Sequence, residues 1–183
     1  MSAPARLESH GIRIELPSMW EGRIGLRTAP TVPFDRTVGV REASRGTAAE
    51  RAARLGSDGW SGERPEPLVH LANFPLPLDR GDFGSGAVDM MGADGVLLAL
   101  VEYGPESVGT ALFATEGLPQ PLPGQFDPNT LQRRISGQYG YQRFVTVAGR
   151  AFCVYIVIGS AAGLGARSAQ ARTILTSTRI EAR

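Results

Sequence analysis

The sequence predicts an α+β fold, a mostly antiparallel sheet of about six strands covered by helices, and three observations carry that expectation. Apolar and charged residues alternate with a period of two near the N-terminus, and long apolar runs of strand length follow in the middle and near the end. Two or three further segments have helical spacing, and the strands mostly follow one another as antiparallel neighbours. At 183 residues without an internal repeat, the chain reads as a single domain spanning 1–183.

In order along the chain, "HGIRIELP" alternates Ile12, Ile14 and Leu16 against Arg13 and Glu15. Pro17 and Ser18 turn the chain. "WEGRIGLRT" then sets Trp20, Ile24 and Leu26 against Glu21, Arg23 and Arg27, so residues 11–27 read as a hairpin. From 28 to 66 the pattern dissolves into Pro, Gly, Arg and Glu, the mark of a flexible insertion. Within it, "TAAERAARLG" has capping-box spacing at Thr47 and Glu50 and a stop at Gly56, which predicts one short helix.

"PLVHLANFPLP" is a strand bounded by prolines, "GSGAVDMMG" a short helix, and "GVLLALVEYG" an apolar run placed centrally and buried on both faces. Residues 117–130, with four prolines, read as a surface crossing that ends in a helical turn near "NTLQRR". "YGYQRFVTVAG" and "RAFCVYIVIGS" form the clearest hairpin, joined at Ala148-Gly149. "LGARSAQARTILTST" places Leu164, Ala171, Ile174, Leu175 and Thr178 at helical spacing and leaves Arg167 and Arg172 for solvent.

All 19 basic residues are arginine, and this excludes ordinary P-loop, Schiff-base and pyridoxal-phosphate chemistry, each of which needs a lysine. Heavy Arg, Ala and Gly usage is that of a GC-rich bacterial genome. The single cysteine forms no internal disulfide. With no signal-peptide stretch and no apolar run of membrane-spanning length, a cytoplasmic location without membrane insertion is expected. Charge is uneven: residues 1–118 hold 11 arginines against 16 carboxylates, and residues 119–183 hold 8 against 2. Such halves usually neutralise each other across a folded domain.

Several residue patterns invite chemistry and are better read as structure. In the strand around Cys153, alternation sends Phe152, Val154, Ile156 and Ile158 one way and Ala151, Cys153, Tyr155 and Val157 the other. Both faces are apolar, so the thiol is expected to be core and inert. Gly163, Gly165 and Ser168 mimic a dinucleotide fingerprint but lack the following parallel strand. The two histidines, His10 and His70, show no metal-ligand spacing, and each is expected to cap a strand or pack at an edge. Arg80-Gly81-Asp82 reads as a turn, with Gly81, Gly84 and Gly86 supplying conformations other residues resist. Cofactors and metals are expected to be none.

The basic C-terminal third interleaves arginine with tyrosine. Strand parity puts Tyr139, Tyr141 and Arg143 on one face and Phe144 on the other. Arg133, Arg134, Tyr139, Tyr141 and Arg143 are therefore the candidate partner-binding surface, since arginine and tyrosine are favoured at protein interfaces. Nucleic-acid binding through this basic third is an alternative. A second alternative is a small enzyme using a sequence-distant acid–base pair, His70 with Glu102, which requires both side chains on one face of the sheet.

With "GIRIELPSMW" near its start and "GRAFCVYIVIGS" feeding a last helix and "LTSTRI" at its end, the chain resembles the PsbP-like superfamily over about its first 27 and last 45 residues. The resemblance implies an α/β/α sandwich acting as a non-catalytic protein-binding or assembly module, and it carries no catalytic residues with it. A protein partner is thus expected, and pairing between copies through an edge strand is possible in such a sheet.

Overall fold

The computed structural model describes residues 5–27 and 65–183, and in it the predicted strands divide between two sheets. The expected flexible insertion at 28–66 and its helix at 47–56 lie almost wholly outside the described residues; Glu66, at the end of that span, already opens a strand. The fold is α+β with antiparallel sheets, as expected, but a single six-stranded sheet sandwich is replaced by a five-stranded and a three-stranded sheet.

The small sheet is built from β1 (Ala5–Ser9), β2 (Ile12–Leu16) and β8 (Arg179–Ile180), with β2 in the centre. β1 and β2 form a tight hairpin whose two turn residues, His10 and Gly11, have φ of 52° and 71°. These positive values are those of a type I′ turn, which matches the right-handed twist of paired strands. Neither β1 nor β8 is legible from apolar alternation. β1 carries one apolar side chain of any size, Leu7, and β8 is two residues long.

The expected hairpin over 11–27 is corrected here. β2 pairs with β1 and β8, whereas β3 (Glu21–Arg27) pairs with β4 (Glu66–Ala72) in the other sheet. The Pro17–Trp20 turn is therefore a crossing between sheets, closed by the Trp20 amide donating to the Pro17 carbonyl at 3.2 Å. Period-two alternation reports that a strand has a buried face, and it does not report which strand lies beside it.

The large sheet has the order β3-β4-β5-β7-β6, with β5 (Val96–Tyr103), β6 (Tyr139–Val147) and β7 (Arg150–Ile158). β5 and β7 are buried at every position, as their unbroken apolar runs require. The β6–β7 hairpin forms as expected, with Ala148 and Gly149 at φ of 51° and 72°. Parity also holds: Phe152, Val154, Ile156 and Ile158 belong to one core, and Ala151, Cys153, Tyr155 and Val157 to the other.

The first core lies between the large sheet, the inner face of the small sheet and α2 (Leu164–Ser177), which contributes Ala171, Ile174 and Leu175. The second core, on the other side, is covered by α1 (Ser85–Met90) and by the irregular crossing that brings Phe113 and Leu131. That crossing also closes the outer edge of β6. The Gly117 amide donates to the Thr146 carbonyl, and Asp127 and Gly140 exchange a pair of hydrogen bonds. The helical turn expected near "NTLQRR" is a single 3-10 turn, Pro128–Thr130. No helix among the described residues is long and apolar enough to cross a membrane.

Candidate functional site

Because Ile12, Ile14 and Leu16 face the first core, the intervening Arg13 and Glu15 of β2 face outward. Pairing then decides their neighbours. Register sets Arg6 of β1 opposite Glu15, Glu8 opposite Arg13, and Arg179 of β8 opposite Arg13 on the other side. The outer face of the small sheet is thereby a charged layer containing three arginines.

α2 runs alongside this face. Burying Ser168, Ala171, Ile174 and Leu175 leaves Ala169, Arg172, Thr173 and Thr176 as a neighbouring stripe at helical spacing. Between this stripe and the small sheet lies a solvent-open groove of about 810 Å³, with Gln120 from the irregular crossing at its margin. Four arginines line it: Arg6, Arg13, Arg172 and Arg179.

Their states differ. Arg6 and Arg13 both donate to Glu8, at 2.5 and 2.8 Å, so this carboxylate is held between two guanidiniums. The Arg13 hydrogen bond first, then that of Arg6, draws the Glu8 carboxyl down to about 2. Arg179 donates to the carbonyls of Thr176 and Thr178 at 2.7 and 3.1 Å, placing a cation at the C-terminal end of α2 where the helix dipole favours one. Arg172 makes no hydrogen bond or ion pair among the described residues. The hydroxyls of Thr173 and Ser177 donate to the carbonyls of Ala169 and Ile174, and that of Thr176 to Gln120 Oε1, so the donors left to a ligand are the guanidiniums and the Gln120 amide at the margin. Planar fork donors of this kind bind oxyanions, carboxylate and phosphate alike.

The candidate surface read from sequence does not assemble. Tyr139, Tyr141 and Arg143 do share a face of β6, but that face belongs to the first core. Tyr141 is 4% exposed with its ring 5.5 Å from that of Phe126, and Tyr139 packs half-buried beside the same core. Arg133, Arg134 and Arg143 are exposed, with Arg133 paired to Asp89 of α1. The irregular crossing supplies Phe126 and converts an expected outer face into an inner one, a long-range event with no local signal.

The His70–Glu102 pair is likewise corrected. His70 sits opposite Ala99, on the second-core side, and Glu102 sits opposite Phe152, on the first-core side. The sheet separates them. His70 instead donates from Nε2 to the Asp82 carbonyl at 2.8 Å and accepts at Nδ1 from Arg80 at 3.1 Å. This latch orders the Arg80-Gly81-Asp82 turn, in which Gly81 and Gly84 have φ of 58° and 75°. Glu102 is gripped by Arg150 through two parallel hydrogen bonds of 2.9 and 2.6 Å.

His10 is exposed in the β1–β2 turn, where it lines a hollow with Leu26 of the edge strand β3, Pro67 and Arg183. The dinucleotide-like glycines open α2, which leads to the antiparallel β8 rather than to a parallel strand. Among the described residues no group of three or more His, Cys, Asp or Glu side chains could hold a metal ion. The groove was missed in sequence because its signal, the polar half of the β2 alternation, looks like any solvated strand face until α2 is laid beside it. No family model, curated protein or solved structure matches the chain.

Proposed function

We propose that the chain is a non-catalytic module that binds another protein, as its PsbP-like ends imply, and that the arginine-lined groove is its working surface. One observation carries this reading: four guanidiniums, delivered separately by β1, β2, α2 and β8, line a single groove open to solvent. Small substrates are ordinarily enclosed in pockets that bury most of their surface, whereas an open charged groove suits a segment of a macromolecule. The buried ionisable side chains add support, since His70 and Glu102 are each committed to internal partners. The bacterial cytoplasm is the compartment we assign, in keeping with a lone buried thiol.

A photo-reactive amino acid replacing Thr173, which is exposed in the groove beside Arg172, tests this with the full chain in a bacterial host. The expected result is a cross-linked product that protease destroys and nuclease leaves intact. Cross-linking to nucleic acid alone, or to nothing, overturns the reading.

A further inference from the structure

We infer that the groove takes a carboxylate-rich, extended segment of the partner protein, an inference that rests on the binding-module reading and adds the chemistry of what is bound. The chain itself shows two of these guanidiniums taking a carboxylate. Glu8 lies between Arg6 and Arg13, hydrogen-bonded to both. Two-oxygen carboxylates match guanidinium forks, and at the same groove Arg172 has no such partner among the described residues.

Spacing argues for a segment over a single ion. Arg6 and Arg13 already share Glu8, whereas Arg179 comes from the next strand and Arg172 from the helix across the groove, so the four cations line two walls rather than one point. Adjacent strands lie about 4.8 Å apart, and same-side residues of an extended peptide recur about every 6.7 Å, so both belong to one length scale.

Composition argues against nucleic acid. None of the lining residues is aromatic, so no platform exists for base stacking. Glu15 lines the same wall, with Glu8 beside it. A phosphodiester backbone, charged at every residue, meets those carboxylates whatever its sequence, whereas a peptide presents a neutral or basic side chain at that point.

Fluorescence anisotropy with the full chain tests the inference, using a labelled peptide of alternating Glu and Ser and a thymidine oligomer of equal charge, with inorganic phosphate as competitor. The peptide is expected to bind saturably and more weakly as salt rises. Arg172→Ala and Arg6→Ala are each expected to weaken it about fivefold, the scale of one exposed ion pair. Leu112→Glu changes the charge by the same amount in a 3-10 turn on the second-core side, and binding should not respond. Circular dichroism checks that each variant folds. Oligomer binding as tight as peptide binding, displacement of the peptide by equimolar phosphate, or an unchanged affinity in Arg172→Ala and Arg6→Ala overturns the inference. If the peptide fails to bind while the probe at position 173 still captures a protein, the carboxylate chemistry falls and the binding-module reading stands. If both fail, both fall.

Discussion

Cys153 and His70 show how burial sets the chemistry of a single residue. Cys153 is wholly buried in β7, and desolvation pushes its thiol up to about 12 against the smaller opposing pull of a 3.5 Å contact from Gln142 Nε2 and the charge of Arg27. A thiol reagent is therefore expected to label native protein only as fast as the chain opens, and to react at once in denaturant. Immediate labelling of the native state would contradict the two-sided core. This much was legible, because alternation in an apolar strand with no neighbouring cation already says inert.

The state of His70 was not legible from sequence. Burial pushes its imidazole down to about 4 from the ordinary 6.5. The unfolded chain thus takes up a proton near pH 6.5 and the folded chain only near pH 4. Stability is unaffected by this group above pH 6.5 and is lost as pH falls through that interval, by about 3 kcal/mol in all. Urea unfolding at pH 7 and pH 4.5 should show most of this loss in the wild type and a smaller one in His70→Gln. Equal pH dependence of the two would remove the latch as its source.

At the level of elements, the junction between the two sheets turns on β3. A Cβ at Gly22 would collide with the side chains of Leu7 from β1, Leu16 from β2 and Leu71 from β4, so the sheets approach closely only because that position has none. Gly22→Val is expected to cost about 1–3 kcal/mol through overpacking, with Gly25→Val, where a Cβ meets nothing within 4 Å, as the mild comparison. Denaturant midpoints compare the two, and equal losses would place the cost in strand propensity instead of packing. The β6–β7 hairpin was legible because a two-residue turn separates two strongly apolar runs. The β1–β2 hairpin uses the same turn geometry, but β1 offers too little apolar area to announce itself, and its register comes from β2 and the turn.

Across the whole molecule, Arg150 and Glu102 tie the sheets together. Arg150 in β7 is 3% exposed and grips Glu102 in β5, while its remaining Nη1 donates to the Glu181 carbonyl at 3.1 Å, just beyond β8. The Gly11 carbonyl of the β1–β2 turn lies at 3.5 Å from the same nitrogen, and Arg183 adds a second cation to Glu102 at 3.3 Å. Arg150→Met leaves a buried carboxylate with Arg183 alone and is expected to cost about 3 kcal/mol. Arg150→Met with Glu102→Leu should recover much of that loss, because the desolvated charge is gone. Chemical denaturation of the three proteins measures it, and a double variant no better than the single would show that the clasp is not an isolated ion pair.

By itself the sequence determined the strands with strong alternation or unbroken apolar runs, the β6–β7 turn, the last helix and the inertness of Cys153, since each follows from local periodicity and the transfer of apolar side chains out of water. Tertiary structure alone decided that β2 and β3 part into different sheets, that Tyr141 turns inward beneath Phe126, that His70 and Glu102 stand on opposite faces of the large sheet, and that Arg6, Arg13, Arg172 and Arg179 share a groove. The reason is common to all four. A side chain's alternation fixes whether it faces a core, but which partner lies across from it depends on pairings between residues far apart in the chain, and local sequence carries no energy term for those.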